Sequence, residues 1–181
     1  MTSATQQRAP ALVPAGTWTV DQARSTVGFA IRHMVLATVR GRFTEFGGAI
    51  ECDEHGTCVR GVVKAASVDT GHELRDERVR GADFLDAAAH PQIRFASRRV
   101  EPTRGGGMRV AGVLTIAGAT RPVELHVTVG HDSDPDALTL EVRGSVRRSD
   151  FGIDPKSLLE AGVSDRVDLA LDIRIRSAGA R

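Results

Sequence analysis

The strongest constraint on the fold is a strict alternation of apolar and other residues near the C-terminus. The apolar residues of one phase are Val167, Leu169, Leu171, Ile173 and Ile175, and the positions between them carry Asp, Ala or Arg. Successive side chains of a β-strand point to opposite faces, so this pattern predicts a long strand with one face in a core and the other in solvent.

Similar alternating segments recur along most of the chain. They start near Val27, Val39, Val59, Ile93, Met108, Val123 and Leu138, and a short one carries Trp18, which we expect to be a core anchor or a plug at a closed end. Roughly eight long strands with one-sided alternation predict an antiparallel sheet, and closure into a barrel removes its unpaired edges. A barrel of this size either fills its interior with side chains or encloses one small ligand.

Glycines interrupt the alternation at defined places. The phase changes beside Gly47 and Gly48, which predicts a bulge or sharp bend in the stretch from Val39 to Cys52. Four glycines fall in the inward phase, where we expect them to leave room in the interior. The inward set is Gly41, Gly48, Gly112 and Gly144.

The segment from Ser67 to Pro91 is the one convincing helical interruption of this all-β pattern. Thr70 and Glu73 have the spacing of a capping box, and Gly81 is a typical residue for the end of a helix. We therefore expect a short helical crossover around residues 72–88 that lies across the mouth of the barrel as a lid. The alternative is a surface crossover with no role in ligand binding.

Composition excludes some functions. A chain of 181 residues predicts one domain, and 24 basic against 23 acidic residues give a net charge of +1. Nucleic-acid binding is not expected, because such proteins usually have a clear basic excess, and six Phe, one Trp and no Tyr offer few stacking platforms.

The N-terminal stretch is expected to be a flexible leader over residues 1–15, followed by a single barrel domain over residues 16–178. Pro10 and Pro14 break the leader, which lacks the apolar core of a signal peptide. No run of about eighteen apolar residues is present to span a membrane as a helix. The sequence therefore predicts a cytoplasmic protein without stable membrane insertion.

Two polar segments between the strands contain residue types that bind metal ions or form disulfides. Cys52 and Cys58 flank a turn that contains His55, so a disulfide or a metal site is conceivable, but a structural zinc needs about four ligands. We therefore interpret the pair as reduced cysteines and expect no metal. The acidic stretch 132–136 has no calcium-loop spacing, and we interpret it as a turn that faces solvent.

An ordered series of short motifs over about residues 16–176 resembles the YceI-like family, the lipocalin-type polyisoprenoid-binding proteins. The most specific part is SVDT at 67–70, followed by RD at 75–76 and DFLD at 83–86. The other matching motifs are WTVD at 18–21, VGF at 27–29 with His33, GRF at 41–43, FGG at 46–48, HP at 90–91 with Phe95, GVLTI at 112–116 with Gly118, and RSDFG at 148–152.

This resemblance implies an extended eight-stranded lipocalin-like barrel whose apolar cavity holds a polyprenyl diphosphate or an isoprenoid quinone. It implies storage, transport or sequestration of that lipid, no catalysis, no cofactor and, commonly, a homodimer. Many members of the family carry a secretion signal, and the predicted absence of one here puts a role in the cell envelope in doubt.

Candidate ligand-binding residues divide into a cavity lining and a polar set. The expected lining consists of Phe29, Ile31, Phe43, Phe46, Phe84, Phe95, Leu114, Leu125, Val142 and Leu171. A diphosphate or quinone headgroup needs donors, for which His33, Arg75 and Arg148 are the candidates. Asp76 and Asp150 are expected to orient the two arginines by pairing with them. The alternative is a buried polar network that attaches the crossovers to the rim of the barrel.

Two rival functions remain open from the sequence. One is a structural or stress-response protein whose barrel is filled and whose partner is another protein. The other, which the sequence favours least, is a hydrolase that uses Ser67, His33 and Asp76, but no serine lies in the strand-turn-helix elbow of such enzymes.

Overall fold

Eleven strands and one α-helix are found in the computed structural model, which describes residues 12–33, 37–153 and 162–179. The elements are β1 Gly16–Val20, β2 Thr26–His33, β3 Ala37–Phe43, β4 Phe46–Asp53, β5 Gly56–Lys64, β6 Val68–Asp69, α1 Glu73–Arg80, β7 Gln92–Pro102, β8 Gly107–Ile116, β9 Ala119–His131, β10 Ala137–Arg147 and β11 Val163–Ser177. Short 3-10 turns cover residues 22–24, 65–67 and 148–151.

Eight antiparallel strands close into a barrel in the order β1-β4-β5-β7-β8-β9-β10-β11, because β1 pairs with both β4 and β11. The fifteen residues of β11 are long enough to serve two partners on one edge. Its C-terminal end pairs with β1, and the rest pairs with β2, which carries β3 beside it. These two strands extend the wall beyond β1. The predicted extended, eight-stranded antiparallel barrel is thereby confirmed.

The two ends of the barrel carry different elements. The lower end carries β1 and the β4–β5, β7–β8 and β9–β10 turns. The upper end carries α1, the β8–β9 turn and the start of β11. No helix among the described residues is long and apolar enough to cross a membrane.

The inward side chains are most buried toward the lower end, although several of them also line an internal cavity. Trp18 is 6% exposed there and donates from Nε1 to the carbonyl oxygen of Pro14 at 3.0 Å, which confirms its role as a core anchor. The buried residues that surround it are Val13, Ile50, Met108, Val110, Val127, Leu138, Leu140, Val142 and Ile175. Val13 belongs to the predicted leader but is buried in this core, and residues 1–11 of that leader lie outside the described part of the chain.

The upper half is packed less tightly. Several inward-facing side chains keep accessible surface although strands surround them, so the space they face is an internal cavity. These residues are Phe29, Ile31, Val39, Phe43, Leu114, Ile116, Val146, Val167 and Leu169. A second buried cluster closes the wall around them, formed by Ala65, Val68, Leu85, Phe151 and Ile153.

The predicted bend beside Gly47 and Gly48 is wrong in position. The chain instead turns at residues 44 and 45 between β3 and β4, two separate strands, which accounts for the change of phase. The amide of Thr44 donates to the carbonyl of Ser67 at 3.1 Å, and the carbonyl of Glu45 accepts from the amide of Lys64 at 2.9 Å.

The prediction that inward glycines leave room in the interior is also wrong at Gly41. The ring of Phe29 lies over Gly41 on the neighbouring strand, where a Cβ atom would overlap it. Glycine here accommodates an aromatic ring from the next strand and so does not enlarge the cavity.

The helix is present but begins differently from the prediction. It spans Glu73–Arg80, and His72 at its N-cap makes no side-chain capping bond. The predicted capping box is absent, because the amide and hydroxyl of Thr70 donate to Asp76 Oδ1 at 2.9 and 2.6 Å. Gly81 ends the helix as predicted, and its amide donates to the carbonyl oxygen of Arg78.

The acidic turn between β9 and β10 does not simply face solvent. Arg174, which alternation places on the outer face of β11, is only 5% exposed. Its Nε donates to Asp132 at 2.8 Å, its Nη1 to Asp21 at 2.8 Å and its Nη2 to Asp134 at 3.1 Å. The turn folds back over the outside of the barrel because these carboxylates neutralise a buried cation.

The two cysteines are free thiols, as interpreted from the sequence. In the β4–β5 hairpin, Cys52 pairs with Thr57, and Cys58 pairs with Glu51. Neighbouring positions on a strand point to opposite faces, so the two thiols cannot form a disulfide across the hairpin. Among the described residues, no group of three or more His, Cys, Asp and Glu is placed to bind a metal ion.

Candidate ligand cavity and its basic end

A cavity of about 720 Å³ occupies the interior and extends to the upper end of the barrel. This volume lies within the usual range for sites that bind small molecules. All ten apolar residues predicted to line the interior do so, and His33, Arg75 and Arg148 reach the same cavity. The structure therefore brings every candidate residue to one place.

The charged side chains that line the cavity share one sign. Among the described residues they are Arg60, Arg75, Arg78 and Arg148, and no Asp or Glu lines it. Arg78 has an interaction of its own with another residue, so its charge is not free. Two polar residues, His33 and Thr70, complete the polar part of the lining, and the remaining described residues are apolar or glycine.

Arg148 lies at the upper end, in the 3-10 turn that follows β10, and is 7% exposed. Its Nε donates to the carbonyl of Ser164 and its Nη2 to the carbonyl of Val163, both at 3.0 Å. Its Nη1 is buried and has no hydrogen-bond partner in the described part of the chain. Because Val163 also pairs with His33, the start of β11 brings the arginine and the histidine close together.

The predicted pairing of Arg148 with Asp150 is wrong. Asp150 is exposed, and the nearby carboxylate that is used structurally is Asp165. The amide and hydroxyl of Ser149 donate to the two oxygens of Asp165 at 2.9 and 2.8 Å. The hydrogen bond from the Ser149 amide is the largest cause of a lowered pKa of Asp165. The bond from the Ser149 hydroxyl and the charges of Arg148 and Arg147 lower that pKa further.

The predicted pairing of Arg75 with Asp76 is also wrong. Asp76 is buried and accepts from Thr70, while Arg75 donates to the hydroxyl of Thr70 at 2.7 Å and to its carbonyl at 2.8 Å. Thr70 thus joins both side chains and fixes the start of α1 to the end of β6. This network is the structural alternative that the sequence left open for Arg75, although the side chain also lines the cavity.

Helix α1 forms part of the upper wall. Leu74, Arg75, Arg78 and Val79 line the cavity, and Val79 packs against the upper core. Leu74 is 72% exposed although it lines the cavity, so it lies where the cavity opens to solvent. Movement of this segment as a lid stays a prediction.

The residues of the rival hydrolase hypothesis are not assembled into a triad. The hydroxyl of Ser67 donates to the carbonyl of Lys64 at 2.7 Å, and Asp76 is occupied by Thr70. His33 lies at the far end of β2, beside the start of β11. None of the hydrogen bonds that such a triad requires connects these three side chains.

Sequence reasoning missed part of the lining. Val167 and Leu169 had been placed in the inward phase of β11 but had not been chosen as site residues, and the alternation alone was sufficient to find them. Leu74, Arg78 and Val79 were missed for a different reason. Which face of a short, highly charged helix turns inward is decided by its packing against the barrel, and the sequence of α1 has too little periodicity to reveal it.

A single chain that closes an antiparallel sheet around an apolar cavity belongs to the class of lipocalin-like barrels. Within that class the chain belongs to the YceI-like family. The family model of the YceI-like domain matches residues 18–175, which covers the barrel from β1 to β11.

Comparison with individual relatives agrees with this assignment. Protein YceI of Escherichia coli O17:K52:H18 (strain UMN026 / ExPEC) is 34% identical over 154 residues, covering 81% of this chain and 78% of that protein. The crystal structure of Burkholderia cenocepacia BcnA matches with a TM-score of 0.77 at 26% identity, covering 86% and 98% of the two chains. A polyisoprenoid binding domain from Saccharophagus degradans, implicated in plant cell wall breakdown, shares the fold with a TM-score of 0.66 at 16% identity, covering 88% and 98%.

Proposed function

We propose that this protein binds a long-chain isoprenoid lipid, such as a polyprenyl diphosphate or an isoprenoid quinone, inside the barrel without transforming it. The observation that carries the proposal is the apolar cavity of about 720 Å³, whose charged side chains are all basic. Membership of a family with a polyisoprenoid-binding structural neighbour supports the same ligand class. Storage, transport or sequestration of the lipid follows from binding without catalysis.

The hydrophobic effect supplies the driving force. Each methylene removed from water contributes about 0.8 kcal/mol, so an isoprenoid chain has ample gross affinity for this lining. Loss of freedom of the lipid chain on binding offsets much of that gain. Selectivity must then come from the shape of the cavity and from the polar groups at its end.

Extraction of the purified protein tests this proposal directly. Organic extracts would be analysed by mass spectrometry, and the emptied protein would be offered prenyl lipids of increasing length. We expect a co-purifying isoprenoid, uptake of the added lipids, or both. If neither occurs, the proposal is wrong, and the alternative of a barrel that acts through protein partners gains support.

A substitution inside the cavity provides a second test. Leu114→Arg places a charge among inward-facing residues of the hollow upper half, and we expect the protein to fold and to lose lipid uptake. The control is Val113→Arg, at the next position on β8, which points to the outer face and does not line the cavity, and it is expected to keep uptake. Unfolding of the Leu114 variant would instead indicate that this region is a packed core.

The remaining parts of the proposal concern assembly and location. A homodimer and a cytoplasmic location stay predictions from the sequence and the family resemblance. Light scattering coupled to size-exclusion chromatography measures the first, and a peptide antibody against the chain in fractionated cells measures the second.

A further inference from the structure

We infer that Arg148 is the anchor for an anionic headgroup, so that the cavity selects apolar chains that end in a phosphate, diphosphate or carboxylate over neutral ones. The inference rests on the proposed function, because it takes for granted that an apolar chain enters the barrel. It goes further by naming the binding residue and the charge of the ligand.

The first support is the unmet hydrogen-bonding capacity of Arg148. A guanidinium carries five N–H donors and stays charged at any physiological pH. Two of its nitrogens donate to backbone carbonyls, Nη1 is buried without a partner among the described residues, and the residue lines the cavity. A buried donor left unpaired is costly, so an acceptor that arrives with the ligand is strongly favoured.

The second support is the shortage of compensating negative charge. Within 4.0 Å of the Arg148 guanidinium, no carboxylate is found in the described ranges. Asp165, whose pKa the charge of Arg148 helps to lower, is hydrogen-bonded to Ser149 instead. Carbonyl dipoles satisfy hydrogen bonds but do not cancel a charge. Burial of a charge is tolerated when it is paired, and an anionic ligand would provide the partner.

The third support is the sign of the lining as a whole. Among the described residues its charged members are all arginines. Arg60 is paired with Glu51 and Arg78 has another partner, so the positive potential comes mainly from Arg75 and Arg148 at the upper end. A low-dielectric wall around like charges strengthens that potential. A carboxylate or phosphate would gain from it, whereas a neutral alcohol or quinone would gain only a hydrogen bond from Nη1.

Two chains of equal length and different charge test the inference. Geranylgeranyl diphosphate and geranylgeraniol have the same apolar part, so their affinities for the emptied wild-type protein, measured by equilibrium dialysis, isolate the headgroup. We expect the diphosphate to bind about tenfold or more tightly, as for a charge-assisted hydrogen bond. Palmitate against hexadecanol repeats the comparison and tells carboxylate from phosphate selectivity.

Arg148→Gln should remove most of that preference, and Arg148→Lys should retain part of it by keeping the charge. Arg147→Gln is the matched control, because it removes a neighbouring but exposed arginine and should leave the preference unchanged. Circular dichroism checks that each variant folds. If Arg148→Gln does not fold, the wild-type comparison still tests the preference for anions, and a preference that is unchanged in folded Arg148→Lys would contradict the assignment to this residue.

The possible outcomes distinguish failure of the anionic anchor from failure of isoprenoid binding. Equal affinity for charged and neutral lipids would overturn the anionic anchor and leave isoprenoid binding intact. A preference for the anion that survives in folded Arg148→Gln would overturn the assignment to this residue. Failure of both prenyl lipids to bind would overturn the proposed function and, with it, this inference.

Discussion

At the lower end of the barrel, the buried guanidinium of Arg174 contacts a carboxylate through each of its three nitrogens. At the upper end, the equally buried guanidinium of Arg148 binds two backbone carbonyls and leaves Nη1 without a described partner. Both arginines would carry a large desolvation cost if left alone. Among the described residues, carboxylates offset that cost at the lower end only, and this difference underlies the anionic headgroup that we propose for the upper end.

The same contrast runs through the interior. Around Trp18 the inward side chains are buried against one another, whereas in the upper half residues such as Phe29 and Leu169 keep surface that only a cavity can expose. A barrel of this size can be filled or hollow. Here the cavity reaches into the core around Trp18, and its walls become more buried toward the lower end. The core residues that also line it are Ile50, Met108, Val110, Val127, Leu140, Val142 and Ile175.

The largest effect expected from this division is on stability at the lower end. Trp18→Ala removes a buried indole from the packed core, and we expect the free energy of unfolding to fall by about 3–5 kcal/mol. Urea denaturation measures the change. Leu74→Ala, at the exposed opening of the cavity, is the control and should stay within about 0.5 kcal/mol of the wild type. Equal losses in the two variants would contradict the division.

A smaller effect is expected where a glycine accommodates a ring beside the cavity. In Gly41→Ala the new methyl group would overlap the ring of Phe29, which must move. Because the ring has empty space beside it, we expect a loss of about 1 kcal/mol, at the low end for overpacking. Lipid uptake should fall as the ring enters the cavity.

Gly105→Ala is the control for that glycine, because a methyl group there meets no atom within 4 Å and Gly105 does not line the cavity. Its stability and lipid uptake should match the wild type. A loss of several kcal/mol in Gly41→Ala would mean that the upper half is as tightly packed as the lower half, and the comparison between the halves would fail.

The smallest effect at neutral pH, but one with a definite sign, concerns the carboxylates around Arg174. Hydrogen bonds from Arg174 and then from the amide of Asp134 hold the pKa of Asp132 well below its ordinary value of 3.8. The pKa of Asp134 is lowered too, chiefly by the amide of Asp136. The resulting stability is fully present above the pKa of the unfolded chain, near 3.8, and is lost as the pH falls below it.

Urea denaturation between pH 5 and pH 2.5 measures this loss. Asp132→Asn should be less stable at pH 5 and should lose less on acidification, because the group that must be protonated is gone. A wild-type stability that does not change below pH 4 would contradict the view that the lower end is fastened by these ion pairs.

Local periodicity was sufficient to predict most of the barrel. The alternation of β11 and its neighbours gave strands of the right length and phase, and the ten apolar residues chosen from that phase all line the cavity. Alternation works because the side chains of a strand point to opposite faces whatever the rest of the chain does. The position of Gly81 in the sequence likewise predicted where α1 ends.

Partners distant along the chain could not be predicted in the same way. Asp150 and Asp76 stand beside the two arginines in sequence but do not pair with them. Arg148 donates to the carbonyls of Val163 and Ser164, and Arg75 donates to Thr70. Arg174 was placed on the solvent side of its strand, which is correct for its direction and wrong for its burial. A turn forty residues away covers it, and no local pattern contains that information.

The alternating sequence thus determined an antiparallel sheet with one apolar face, because that face must leave water wherever the strands pair. Whether the enclosed space is filled depends on how side chains from strands far apart in sequence meet across it. Only the tertiary structure decided that a cavity remains inside the barrel, that its walls are more buried toward the lower end, and that one of two buried arginines lacks a carboxylate partner among the described residues.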